Sequence, residues 1–199
     1  MYATSAAAAH PAVRAAASAG CTVREVAEGA LGKVLDVVTP QDVVAGAHQR
    51  GTAPEEVLER ARARKRPVLV LVELQDPGNV GTLVRVAEAA GCAGVVLTER
   101  SVDVHNPKVV RAAAGALFRV PVAEGVTVDR LLDGCDAAGP VAWASVRDGG
   151  VDPEVADLSG ACVLLVGSEA HGLPAGVVER VARRLTIPMD GSVESLNAG

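Results

Sequence analysis

Two stretches of this sequence crowd chemistry-capable residues into a few positions, each just after an apolar run: Asp76-Pro77-Gly78-Asn79, and Gly167-Ser168-Glu169-Ala170-His171-Gly172. A turn that leaves a strand and opens a helix offers backbone amides to a ligand oxygen. Here Asn79 is expected close to the N-cap, with the amides of Val80, Gly81 and Thr82 at the loop mouth. Arg85 follows six residues after Asn79, in the second turn, and its long side chain is expected to reach back over the same loop. In the second stretch Gly167 permits close backbone approach by a flat ligand, while Glu169 brings a carboxylate for a hydroxyl or a neighbouring arginine. His171 reads as a turn residue. Near the end, Ser195 and Asn197 could meet polar groups of a ligand, and Asn106-Pro107-Lys108-Val109-Val110-Arg111 supplies two cations suited to phosphate. Taken singly, each segment also fits a capped helix start, a solvated acid or a polar terminus. Neither a G-x-G-x-x-G fingerprint nor a Walker lysine accompanies these loops, which argues against a nucleotide-phosphate cradle and a dinucleotide-dependent oxidoreductase.

The elements that must hold these loops alternate. Strands are expected at residues 68–72, 94–97, 118–122, 141–145, 161–166 and 185–188, and helices at 80–90, 107–116, 128–132 and 175–182. Such alternation predicts an α/β domain with a parallel sheet covered by helices on both faces. Upstream, residues 22–38 are expected to hold a short helix and a strand, Pro40 breaks the chain, and Pro54-Glu55-Glu56 opens a helix running to about Lys65. The organisation expected is a small α/β appendage over 1–53, a connecting helix over 54–66 and the main domain over 67–199.

Composition agrees with that architecture. Of 199 residues 49% are hydrophobic, yet only Tyr2, Phe118 and Trp143 are aromatic, so the core must be Val, Leu, Ala and Ile, as suits strands buried on both faces. No apolar run approaches a membrane span and residues 1–10 lack a basic-then-apolar leader, so a cytoplasmic location is expected. Cys21, Cys92, Cys135 and Cys162 are scattered with no C-x-x-C pair and read as small structural residues, without disulfide or metal. A net charge of −5 argues against coating nucleic acid by bulk electrostatics. The cluster Arg60, Arg62, Arg64, Lys65, Arg66 reads first as a solvated helix end and second as an RNA contact.

In this order, D-P-G-N-V-G-x-x-x-R, N-P-K-V-V-R-A-A-A-G, V-G-S-E-A-H-G-L, I-P-M and S-L-N resemble the SpoU/TrmH family of RNA ribose 2′-O-methyltransferases over about residues 67–197. More weakly, residues 22–47 resemble the back half of the L30e-like RNA-binding module. The resemblance implies an α/β fold of SPOUT type, a parallel sheet with a C-terminal trefoil knot, preceded by a partial L30e-like α/β module. It also implies a homodimer, S-adenosylmethionine as methyl donor, and structured RNA as partner, rRNA rather than tRNA. Carried across, Gly167, Ile187 and Leu196, with Val166 and Met189 beside them, contact the donor. Asn79, Arg85, Glu169, Ser195 and Asn197 match the polar active-site positions, with Arg85 handling the ribose 2′-hydroxyl, and Lys108 and Arg111 meet RNA phosphates. Ala113 stands where relatives commonly carry Ser. Because members continue past S-L-N with a helix while this sequence ends at Gly199, an incomplete knot is expected. The competing expectation is a catalytically silent RNA-binding fragment.

Overall fold

Four α-helices of this chain begin on a proline, at Pro11, Pro54, Pro77 and Pro107, where the missing N–H is one the helix could not have used and φ is already set. In the computed structural model, residues 1–35, 39 and 41–189 are described, in two units, Met1–Arg50 and Gly51–Gly199. The first unit consists of β1 (Tyr2–Thr4), α1 (Pro11–Ser18), β2 (Arg24–Val26) and β3 (Val43–Val44). β1 lies between β2, to which it is parallel, and β3, to which it is antiparallel. The Ala-rich start, which carries little pattern, is thus a strand and a helix: His10 caps α1 by accepting the Ala12 N–H on Nδ1, and Ala3, Ala7 and Val13 form a small core. Downstream, where a helix and strand were expected over 22–38, β2 is followed by a single 3-10 turn at Leu31–Lys33; residues 36–38 lie outside those described.

The second unit opens with α2 (Pro54–Arg64), which ends where Lys65 turns left-handed, and which buries Val57, Leu58 and Ala61 in the core of this unit. There follow β4 (Val68–Leu71), α3 (Pro77–Ala89), β5 (Gly94–Thr98), α4 (Pro107–Ala112), β6 (Val122–Val126), α5 (Val128–Ala138), β7 (Val141–Ser145), β8 (Cys162–Val166), α6 (Ala175–Arg180) and β9 (Arg183–Leu185). All six strands are parallel, in the order β6-β5-β4-β8-β7-β9. Every residue of β4 and β5 is buried, because helices cover both faces: one apolar cluster joins the sheet to α2 and α5, the other to α3 and α4.

Several boundaries differ from those expected, each for a local reason. α3 begins three residues early because Asp76 is its cap. α4 stops at Ala112: Ala114 (φ 47°) and Gly115 (φ 85°) reverse the backbone into a 3-10 turn, Ala116–Phe118. Phe118 is therefore 76% exposed rather than part of a strand, and the strand expected at 118–122 is β6, four residues later. β9 covers Arg183–Leu185, so Ile187 and Pro188 lie beyond the strand. Among the described residues no helix is long and apolar enough to cross a membrane.

α3 and α4 touch at Gly81, where a Cβ would stand 2.5 Å from Ala112 Cβ and 2.7 Å from the Val109 carbonyl oxygen. Gly176, in α6, faces open space. Gly81→Val is expected to lower stability by about 1–3 kcal/mol through overpacking, whereas Gly176→Ala should be neutral or stabilising; equal denaturation midpoints for the two would refute this account.

Candidate functional site

The strand order turns back between β4 and β8: the chain leaves β4 one way, to β5 and then β6, and leaves β8 the other way, past β7 to β9. At such a switch point the two following connections leave to opposite sides and open a crevice at the carboxyl ends of the strands. Both loops singled out by their residues emerge there. Val72 N–H donates to the Val166 carbonyl (2.8 Å), so the strands stay paired up to the crevice.

Asp76 caps α3, accepting the Asn79 N–H on Oδ1 (2.8 Å), while Val80 N–H donates to the Asp76 carbonyl (3.1 Å). Asn79 thus sits in the first turn rather than at the cap, and its own amide and that of Val80 are committed to the helix. The side chain so released crosses the crevice: Asn79 Nδ2 donates to Glu169 Oε1. Two loops some ninety residues apart in sequence meet through that bond.

Gly167 is held by its own loop. A Cβ there would collide with the backbone of Gly172 and Leu173, because Gly172 (φ 65°) folds back and donates its N–H to the Ser168 carbonyl (2.7 Å). The glycine is required whether or not a ligand comes near. Arg85 lies exposed on α3, and among the described residues it makes no hydrogen bond or ion pair. Lys108 and Arg111 are exposed on α4, whose first turn is capped by Asn106 accepting the Lys108 N–H (2.9 Å). Ala113 is fully buried in the α3–α4 core. Val166 is half-buried at the end of β8, Ile187 is 59% exposed and Met189 partly so, just past β9. Ser195, Leu196 and Asn197 lie outside the described residues.

The SpoU rRNA Methylase family matches residues 66–199, well over half of the sequence. The chain belongs to that family. It is 36% identical over 172 residues to the 23S rRNA (guanosine(2553)-2′-O)-methyltransferase RlmP of Bacillus subtilis (strain 168), covering 86% of this chain and 66% of the relative. The curated relatives are longer; this chain spans 66%, 59% and 38% of the length of three of them. Among solved structures, the AdoMet-bound rRNA methyltransferase from Sinorhizobium meliloti superposes with a TM-score of 0.84 at 30% identity, over 99% of this chain and 74% of the other. The SpoU methyltransferase AviRb from Streptomyces viridochromogenes, in complex with AdoMet, gives 0.73 at 25% identity over 94% and 72%.

Around the motif loops of this SpoU chain lie residues that the sequence did not single out. Glu73 and Arg100, both left-handed (φ 55° and 64°) although neither is glycine, form an ion pair at the ends of β4 and β5. Glu73 N–H donates to the Oγ1 of buried Thr98 (3.0 Å), which fixes the approach to Asp76. The connection after β7 was also missed: β7 lies between β8 and β9, so residues 146–151 stand between the loops bearing Gly167 and Ile187. No residue type betrays either feature; both rest on groups that strand order brings together.

Other groups serve structure. His105 lies 3.4 Å from Asp103 and 3.5 Å from Glu124, but those carboxylates already accept the His105 and Val104 N–H groups and tie down the 103–106 turn. Burial, helped by the Asp136 charge, pushes the Cys135 thiol up to about 11, and burial raises Cys92 and Cys162 as well, so these three remain thiols at neutral pH. A cavity of about 320 Å³, lined in part by Cys135, Pro140, Val141 and Arg183, opens at the opposite end of β7 from the motif loops.

Asn79→Leu removes the tie to Glu169. A hydrogen bond worth about 1 kcal/mol net corresponds to roughly fivefold in an opening equilibrium, so amide exchange across residues 168–173 should accelerate severalfold in the variant; identical rates would mean that the two loops are held independently.

Proposed function

We propose that this chain carries the catalytic unit of an S-adenosylmethionine-dependent RNA ribose 2′-O-methyltransferase acting on structured RNA, rRNA in preference to tRNA. The observation that carries the reading is the Asn79–Glu169 bond, which unites two of the family's motif loops at the switch-point crevice of a SpoU chain. A donor with a flat aromatic end and a charged end needs an apolar wall beside polar backbone. Val166, at the end of β8, leads into the 167–173 backbone, and Ile187, apolar yet 59% exposed, follows β9 on the same carboxyl edge of the sheet; the residues present fit such a donor. Gly167, Val166, Ile187, Met189 and Leu196 would hold it, and Lys108 and Arg111 would meet RNA phosphates.

S-adenosylmethionine, when bound, supplies an electrophilic methyl on a sulfonium. The protein's task is then alignment of the 2′-hydroxyl, and orientation alone can contribute about 7–11 kcal/mol. Asn79 and Glu169 fix one side of the crevice, and Ser195 and Asn197, which match the family's polar positions, would offer further hydrogen-bonding groups to the hydroxyl. Arg85 brings a guanidinium, a delocalised cation and a poor proton acceptor. It is therefore suited to orienting the hydroxyl and stabilising developing alkoxide charge rather than to accepting the proton.

The same reading includes a C-terminal trefoil knot, a homodimer, a cytoplasmic location and an L30e-like RNA-binding role for the first unit. The knot is supported by the way residues 146–151 straddle the end of β9: Val146 N–H donates to the Leu185 carbonyl from one side, while Val151 bonds Arg184 and Thr186 from the other. Exposed apolar side chains on neighbouring elements, Val86, Val110 and Phe118, support self-association.

The test combines calorimetry with S-adenosylmethionine and transfer of labelled methyl groups to rRNA and tRNA transcripts, with alkali-resistant phosphodiesters marking 2′-O products. Arg85→Ala should bind donor within about twofold of the parent while transfer falls about a hundredfold, the scale of losing one oxyanion-stabilising donor. Full-rate transfer by Arg85→Ala would remove its role; absence of donor heat in the parent chain would instead favour a silent RNA-binding fragment.

A further inference from the structure

Thr186, just past β9, makes three bonds to the loop that follows β7. Its N–H donates to the Val151 carbonyl (3.0 Å), its Oγ1 accepts the Gly150 N–H (2.9 Å), and the same hydroxyl donates to the Val146 carbonyl (3.1 Å). Gly150 leaves no slack, since a Cβ there would stand 2.6 Å from Thr186 Oγ1 and 2.6 Å from the Leu185 carbonyl carbon. The loop joining Val146 to Val151 therefore forms an arch over β9. One hydroxyl beneath it, donor to one foot and acceptor from the other, ties both ends together.

We infer that Thr186 is a positioning residue for the methyl donor. It fixes the arch over the outgoing chain and thereby sets where the next residues, Ile187 to Met189, present their backbone and apolar side chains at the carboxyl edge of the sheet. The inference rests on the donor reading above and adds to it a residue outside the motifs. Three neighbours bear on this choice. Ser145 Oγ donates to the Leu165 carbonyl (2.7 Å) and ties β7 to β8, fixing the strand before the arch rather than the arch itself. Among the described residues Arg147 pairs with exposed Asp148 alone (3.5 Å). Val151 offers the arch backbone groups alone, which no side-chain substitution removes. The hydroxyl of Thr186 is thus the side-chain group on which the geometry of the arch depends. Valine has nearly the same shape without the hydroxyl, and serine keeps the hydroxyl without the methyl.

The experiment compares the full parent chain with Thr186→Val, Thr186→Ser and Thr186→Ala. In the donor-free proteins, exchange of the Gly150 amide is followed; donor affinity is then measured by calorimetry, RNA affinity separately, and KM for donor and for RNA where transfer is detected. Loss of the shared hydroxyl is expected to speed Gly150 exchange about thirtyfold, for two lost hydrogen bonds at roughly fivefold each, and to weaken donor binding by up to the same factor. RNA affinity and kcat should stay within about twofold, and Thr186→Ser should restore both readouts. A merely structural role would instead lower melting temperature and weaken both ligands together. Unchanged donor affinity in Thr186→Val, or in Thr186→Ala should the valine variant fail to fold, overturns the inference. A parent chain that binds no donor overturns the underlying reading, while Gly150 exchange still reports whether the hydroxyl holds the arch.

Discussion

Pairing of β4 with β8 governs the rest of the second unit. The two strands belong to halves of the chain that wind in opposite directions, and parallel pairing brings them into register from Val68 with Val163 to Leu71 with Val166. A parallel strand must return to the same edge before its neighbour can begin, so all six carboxyl ends lie along one border of the sheet. At the join, the connections have to part, since α3, which follows β4, packs on one face while Leu173 and Val177, which follow β8, pack on the other. The gap between them is therefore a consequence of topology, and Asn79 and Glu169 are the side chains whose lengths let them close it.

The neighbourhood of that gap is held by unfavourable backbone as well as by favourable contacts. Glu73 and Arg100 each adopt a left-handed conformation that costs an L-residue about 1–2 kcal/mol, and each sits immediately beyond a fully buried strand. What offsets the cost is mutual: their ion pair, the bond from Glu73 N–H to Thr98, and the donation of Ser101 Oγ to the Leu71 carbonyl (3.3 Å) lock the two strand ends to each other. The approach to α3 is consequently stiff, and Asp76 begins the helix at the same point that the strand geometry dictates.

Much of this was legible in the sequence because it depends on local chemistry. Pro77 after Asp76, Pro54 before two glutamates and unbroken Val-Leu runs each carry their own physical reason for a helix start or a buried strand, and the parallel α/β architecture follows from their alternation. The motif loops were legible as loops; two of them meet through Asn79 and Glu169, while the third, around residues 195–197, lies outside the described residues. Boundaries set by distant packing were not legible. Nothing in Phe118-Arg119 announces a 3-10 turn, and the pull of the Arg119–Glu88 pair toward α3 is a tertiary effect. Asn79 was read as the cap because its residue type suits that task equally well; only the geometry distinguishes it from Asp76. The arch over β9 was invisible for a further reason: it is built from main-chain groups and one threonine, and neither leaves a pattern that spacing can detect.

That arch also ties together two segments that are distant in sequence. Because both of its feet bond to the end of β9, the 146–151 loop and residues 184–186 cannot loosen separately: fraying of β9 would release Val146, Gly150 and Val151 together. An edge strand of three residues is ordinarily among the first parts of a sheet to open, and here the loop that follows its neighbour restrains it from both sides.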